Sequence, residues 1–438
     1  MSFKIFIANT FGLIKPTAKI EAAHEALLQD YRQFCDFEQS SLLKEYQDLE
    51  MLVNSATFKQ KRKELQLLTL KGSKEEAQLK DLKKLERNGK LQKYYSTLKS
   101  EDLKRFIELK KLNDSADNKF LAQFEKSSAY KNYLRMKDSA ERKKLEELQQ
   151  ITSSAEFKAR VAYLEDKQKW EKTEESVQEK RFAELQKMPQ LINYLKYKNS
   201  NAFDFFKKWD IVFEDRFDSQ KLDPEKWITK SHWANQTLGQ NFSQPGDLHA
   251  FTDGKNIVTD GKSLKIEVRK EKATGMQWRI PFGFVPQDFE YTSGIISTAA
   301  NEWWNHGILE AKVKYSPSAD MVDAIYLLGE ETSPQINLLE MGAKNRLGTL
   351  TKSNGGIHAD CESISGLKTG EFYIFRLEWT SNALIWKING REMLKIDLHI
   401  PSHTLHLNAA SILVNEPNGS LPHRFEIDWV RFYQHHKA

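Results

Sequence analysis

The chain has 438 residues, 39% of them hydrophobic and 29% charged, with a net charge of +5 and two cysteines. That length excludes a single small domain and allows a sizeable core, while no run approaches the ~18 uninterrupted apolar residues that a membrane span requires. Cys35 and Cys361 lie in different halves and make no disulfide framework, as in a reducing compartment.

The opening stretch MSFKIFIANTFGLIKP is interrupted by Asn9, Thr10 and Gly12 and is followed by no small-residue cleavage site. It reads as the start of a helix and not as an export signal, which favours the cytoplasm over secretion. Residues 1–200 hold 40 Lys+Arg against 31 Asp+Glu. These cations alternate with acids every few positions, the pattern of solvated helix faces and not of a nucleic-acid-binding stripe.

Residues 1–200 contain three Gly and two Pro, whereas the remainder contains 17 Gly, nine Pro and nine of the ten Trp. Apolar residues at helical spacing run through LKDLKKLERNGKLQKYYSTL and FAELQKMPQLINYLKYK, so the first half is α-helical. Ser recurs just ahead of an apolar residue in SATFK (55–59), SEDLK (100–104), SAYK (128–131), SAEFK (154–158) and SNAF (200–203). These are N-cap signals, because the Ser oxygen accepts from a backbone N–H that the first turn leaves unpaired. Leu103, Tyr130 and Phe157 fall 27 residues apart, with Ser-Ala pairs at Ser115 and Ser139 about midway. The spacing predicts a domain over 1–200 built as an array of short paired helices of about a dozen residues. Long coiled coils are the alternative, against which sustained heptads are missing.

From Trp209 onward the period becomes two. KSLKIEVRK, GILEAKVKYS, FYIFRLEWT, ALIWKING and RFEIDWVRFY alternate apolar and polar residues between turn signals. Residues 201–438 are therefore expected to form an all-β antiparallel sandwich.

Several segments of this half, in order, resemble glycoside hydrolase family 16, the concanavalin A-type jelly rolls that include laminarinases and agarases. They are WDIVFEDRFDSQKLDPEKW, DLHAFTDGKNIVTDGKSLKIEVRKE, YTSGIIST, WWNHGILEAKVKYS, DAIYLLG, QINLLE, GGIHAD, YIFRLEWTSNALIWKING and FEIDWVRFY. The resemblance covers about residues 207–435 and leaves the helical half unassigned. It implies a catalytic strand of pattern E-x-D-x-x-E, on which Gln335 falls at the nucleophile, Asn337 at the middle Asp and Glu340 at the acid/base. Residues 335 and 337 share one strand face, and a bulge at Leu338-Leu339 would return 340 to it. A retaining glycosidase needs two carboxyl groups ~5–5.5 Å apart, and a neutral Gln amide is no nucleophile. An inverting route would need a second carboxylate, for which Glu330 and Glu331 are the nearest upstream.

The same resemblance implies that Trp304 or Trp303, Trp233, His358 and Tyr326 line a sugar cleft, aromatic faces packing on the CH faces of sugars. Asp247 falls at a family Glu, and Val322 replaces a platform Trp. Many members hold a structural calcium through a Glu of the first strand and an Asp of the last. Here Arg216 falls on the former and Asp428 on the latter, so an Arg216–Asp428 pair is expected in place of a metal, with no cofactor. The resulting reading is a carbohydrate-binding pseudo-glycosidase that binds a polysaccharide or oligosaccharide without cutting it. The alternatives are a weak or unconventional endo-acting glycoside hydrolase, and a scaffold whose helical half meets a protein partner.

Overall fold

The computed structural model describes residues 5, 13–112, 117–330, 333–353 and 356–436. The expected helix start falls almost wholly outside them, as do Ser115 and Glu331. Two compact units result: Phe34–Lys196, and Met1–Gln33 together with Tyr197–Ala438. Residues 13–33 thus group with the β half, a difference from a boundary at residue 200. The reason lies in the first turns of helix Thr17–Glu38. Glu21 there accepts from Lys312 Nζ at 3.0 Å and from Trp429 Nε1 at 3.1 Å, and Thr17 Oγ1 donates to the Phe372 carbonyl.

Phe34–Lys196 is a helical array whose joints are made by hydroxyls. Ser40, Ser55, Ser73, Ser139 and Ser154 each accept from the backbone N–H three residues ahead. Each also donates to the carbonyl three residues behind. At Ser40, Ser55, Ser139 and Ser154 one side chain thereby satisfies the end of one helix and the start of the next, while the Leu70 carbonyl met by Ser73 lies in the turn before its helix. Ser100 caps Leu103 in the same way. In KSSAYK the cap is Ser127, whose Oγ accepts from Tyr130 N at 3.1 Å, so Ser128 is the first helical residue. Ser200 accepts from Ala202 N, and the helix after it begins at Asp204.

Helices pair across the array more than along it. Aromatic residues at twelve-residue steps on the outgoing arm meet partners on the returning arm. Phe34 stacks on Tyr194 at 5.0 Å, Tyr46 on Phe182 at 5.3 Å and Tyr94 on Tyr133 at 5.4 Å. Phe58 meets Trp170 edge-on at 5.3 Å, and Phe106 meets Phe124 at 5.2 Å. Ion pairs such as Arg181–Glu45 and Lys144–Asp81, both 2.7 Å, flank these layers. Those pairs are half-exposed and contribute little; the buried rings carry the association.

The β unit is a sandwich of two sheets. Across the smaller, among the described residues, run Gly356–Ser363, Arg346–Ser353, Gln335–Gly342, Met321–Leu328, His406–Leu413 and Ile295–Ser297, all antiparallel. The larger contains Phe372–Trp379, Gly307–Lys314, His423–His435 and Leu264–Arg279 as neighbours in that order. Between the sheets lie Leu309, Ala311, Ile325, Leu327, Ile336, Leu407 and the indoles of Trp379 and Trp386, all but excluded from water. The alternation that buries these residues leaves Gln335, Tyr326 and Asn408 on the opposite face of the smaller sheet.

Ser127→Ala is expected to lower stability by about 1 kcal/mol, while Ser128→Ala is expected to change it little or slightly raise it. Urea unfolding followed by helical circular dichroism separates the two; equal losses would refute the assignment of the joint to Ser127.

Candidate functional site

The strand Gln335–Gly342 carries the site, and a bulge sets its geometry. Its register against Met321–Leu328 slips between Asn337 and Leu339, and against Arg346–Ser353 between Asn337 and Glu340. Leu338 and Leu339 are both fully buried in the inter-sheet core. The extra residue leaves the Asn337 carbonyl to the indole of Trp386, whose Nε1 donates to it at 2.8 Å.

The three motif side chains form one hydrogen-bonded row. Gln335 Nε2 donates to Asn337 Oδ1 at 2.6 Å, and Asn337 Nδ2 donates to Glu340 Oε2 at 3.3 Å. Arg346 Nε reaches the same Glu340 oxygen at 2.8 Å. Asn337 is fully buried, and Glu340 is 7% exposed. The guanidinium occupies the carboxylate oxygen that also takes the Asn337 amide, so one carboxylate, one cation and two amides complete the row.

Register extends the row across the sheet. Asn337 lies between Tyr326 and Gly348, Tyr326 is paired with Asn408, and Asn408 with Ser297. Burial pushes the Tyr326 phenol up to about 12, so it stays a neutral hydroxyl beside the amides. His406 stands opposite Leu328, which is next in register to Gln335. Its ring lies 4.4 Å from that of Trp303 and 5.2 Å from that of His232. His232 Nε2 and Glu330 Oε2 are 3.0 Å apart. Neither His406 ring nitrogen meets a hydrogen-bond partner among the described residues.

Of the aromatic residues expected to line a cleft, the structure brings Trp303 and Tyr326 toward this face. Trp303 is half-buried, its Nε1 donating to Ala299 O at 2.7 Å. Trp233, on helix His232–Thr237, is 38% exposed next to His232. Trp304 is a correction: it stacks on Phe432 at 4.4 Å, is 3% exposed and belongs to the inter-sheet core. His358 is another. It pairs with Thr351 while Ala359 and Cys361 share the register of the Gln335 row, so alternation sets it on the other face, beside Asp360 at 3.2 Å. Asp247 is half-buried in a loop, accepts from Gln244 N at 2.6 Å, and is pushed up by burial to about 6.

Arg346, Asn408 and His406 escaped the motif. A signal existed for Arg346: the turn-forming MGAKN after Glu340 places it directly across the hairpin. The expected Arg216–Asp428 pair is not formed. Asp428 takes Lys312 Nζ at 3.1 Å, and Arg216 turns to Glu214 at 3.0 Å. Lysine serves because its stem reaches across adjacent strands from Gly307–Lys314. Among the described residues no cluster of three His, Cys, Asp or Glu side chains is placed to hold a metal, and no helix is long and apolar enough to cross a membrane.

Two outcomes follow from this geometry. With an ammonium beside Asp428, the melting temperature is expected to be unmoved by calcium or chelator, whereas a bound ion at a hundredfold excess over Kd would add about 2.7 kcal/mol. A rise with calcium would show an ion at that carboxylate. Burial pushes His406 down to about 3 from 6.5, with His232 adding to the shift. The unfolded chain therefore takes up a proton from about pH 6.5 downward and the folded one only near pH 3, so stability falls as pH falls through that window. His406→Leu is expected to flatten this slope by up to about 1.4 kcal/mol per pH unit. Urea melts across pH check it, and an unchanged slope contradicts neutral burial.

No family model matches the chain. The clotting factor G alpha subunit of Tachypleus tridentatus is 22% identical over 254 residues, covering 52% of this chain and 34% of that protein. The chain thus spans about a third of the length of this curated relative. Among solved structures, the laminarinase catalytic domain of Thermotoga maritima is 20% identical, covering 52% of this chain and 98% of that one with a TM-score of 0.42. The endo-β-1,3-glucanase of Pyrococcus furiosus is 17% identical, covering 53% and 97%, with a TM-score of 0.42. SCLam, a non-specific endo-β-1,3(4)-glucanase from family GH16, is 20% identical, covering 52% and 91%, with a TM-score of 0.41. These matches cover the C-terminal half of the chain.

Proposed function

We propose that the sandwich binds a polysaccharide over Gln335, Asn337 and Glu340 and does not cleave it. The observation that carries this reading is the hydrogen-bonded row itself. Two amides stand at positions 335 and 337, and the one carboxylate, Glu340, is engaged by Asn337 and Arg346. Amides and hydroxyls of this kind exchange hydrogen bonds with sugar hydroxyls. Retaining cleavage needs an attacking carboxylate, and no amide forms a glycosyl ester that water can resolve. The half-buried Trp303 and exposed Trp233 supply apolar faces of the sort that pack on sugar rings.

The competing enzymatic reading, a weak or unconventional endo-acting hydrolase, draws on the same fold resemblance. A protein partner for the helical half is favoured by Met51, Leu67 and Val177, exposed at 68%, 71% and 64%.

The unaltered protein is expected to bind one of β-1,3-glucan, agar or carrageenan while releasing no reducing ends above background. Gln335→Glu with Asn337→Asp is expected to create measurable hydrolysis with retention, slowed by the loss of a platform at Val322, since each ~1.4 kcal/mol of lost transition-state stabilisation costs tenfold. Activity in the unaltered protein that disappears in Glu340→Gln would establish the enzymatic reading instead. Silence of the double variant, with no sugar bound by either protein, would leave the scaffold.

A further inference from the structure

The helical array holds a second feature that the sandwich reading does not touch. Helices Gly89–Leu98 and Ser128–Lys137 are packed through the Tyr94–Tyr133 stack and the buried Leu91 and Met136. Beside that core they border a groove of about 1000 Å³. Lys90 and Lys93, three apart, share one helical face, as do Lys131 and Arg135, four apart, so both pairs project to the same side of their helices. All four line the groove and are exposed.

Elsewhere in the array, cations of one arm meet carboxylates of the other, as in Lys144–Asp81, Lys110–Glu125 and Arg181–Glu45. Here the pattern fails. No carboxylate lines the groove among the described residues, and the partner found for this cluster is an amide, Asn132 Oδ1 to Arg135 Nη2 at 3.4 Å. Like charges at these spacings repel one another on a helix. An anion in the groove would reverse that repulsion.

We propose that this groove binds a sugar chain bearing clustered sulfate or phosphate groups. Four cations answer the anionic groups as point charges or a guanidinium fork. Ser96, Ser128 and the Asn88 amide, also on the lining, answer hydroxyls. No aromatic ring lines the groove among the described residues, so it lacks the stacking platforms on which single-stranded nucleic acids bind. Its volume is at the upper end of that of small-ligand pockets, which fits a short segment of such a chain. The proposal is independent of the Gln335 row.

The test is calorimetric titration of the full chain with dextran sulfate and phosphomannan oligosaccharides, neutral dextran and oligothymidylate. Either or both charged sugars are expected to bind, the pair showing which anionic group is preferred, with affinity falling as salt rises; neutral dextran is expected not to bind. Replacing Lys90, Lys93, Lys131 and Arg135 together by Gln is expected to weaken binding about tenfold or more. The same change at the exposed Lys59, Lys63, Lys158 and Lys167 is expected to leave it within about twofold, since screening confines the effect to nearby charges. Acylation footprinting of the unaltered chain, should the fourfold variant misfold, is expected to find Lys90, Lys93 and Lys131 protected by bound sugar and Lys59 and Lys158 not. Absence of binding by both charged sugars, equal weakening by the two fourfold variants, or unprotected groove lysines would overturn the proposal. Tighter binding of oligothymidylate would overturn it in favour of a nucleic acid.

Discussion

One extra residue in a strand governs the candidate site. Side chains on a strand alternate between two faces, so residues 335 and 337 share a face and 340, left to simple alternation, would point with Ile336 into the core. The bulge at Leu338-Leu339 removes that conflict. It sends two consecutive leucines inward, returns Glu340 to the open face, and sets it directly across from Arg346. At the bulge the Asn337 carbonyl accepts from the Trp386 indole. Trp386 comes from the other sheet, so the packing of the sandwich and the aim of the site are secured by one contact.

Burial gives the amides a physical sense. Asn337 is fully buried, and an ionised carboxylate in its place would lose hydration that only matching donors could replace. With amides at 335 and 337 each amide nitrogen in the row donates to the next member, and the Glu340 carboxylate is met by Arg346. The same rule recurs on the larger sheet, where Lys312 joins Asp428 to Glu21 and draws the N-terminal helix onto the sandwich.

How far these features were legible depends on whether the signal is local. The caps at Ser55 and Ser154 were, because a cap is read from four consecutive residues; in KSSAYK two adjacent serines compete, and the one three residues before Tyr130 wins. The bulge was legible through the family resemblance, whose motif requires residues 335, 337 and 340 to share one face. Trp304 was not, since adjacent tryptophans at the end of a loop carry no mark of which one turns inward to Phe432. His406 sits in a strand that reads as ordinary apolar alternation, and its neighbours Trp303 and His232 arrive from distant segments. Thr17–Gln33 has the same helical period as the array that follows it, so only contacts distant in sequence, with Lys312, Phe372 and Trp429, tell the two apart.

The crosswise pairing of the array bears on how it assembles. Phe106 and Phe124 are close along the chain, Tyr94 and Tyr133 further apart, Phe58 and Trp170 further again, and Phe34 and Tyr194 the most distant. Closing the outermost pair first would confine a long loop at once, whereas each layer formed next to a finished one encloses only the residues between the two. The least costly route is a zipper that starts at the tip and runs toward the open end. Its transition state is then local despite the large sequence separation of the final contacts, and contact order computed from the folded state would overstate the difficulty of reaching it.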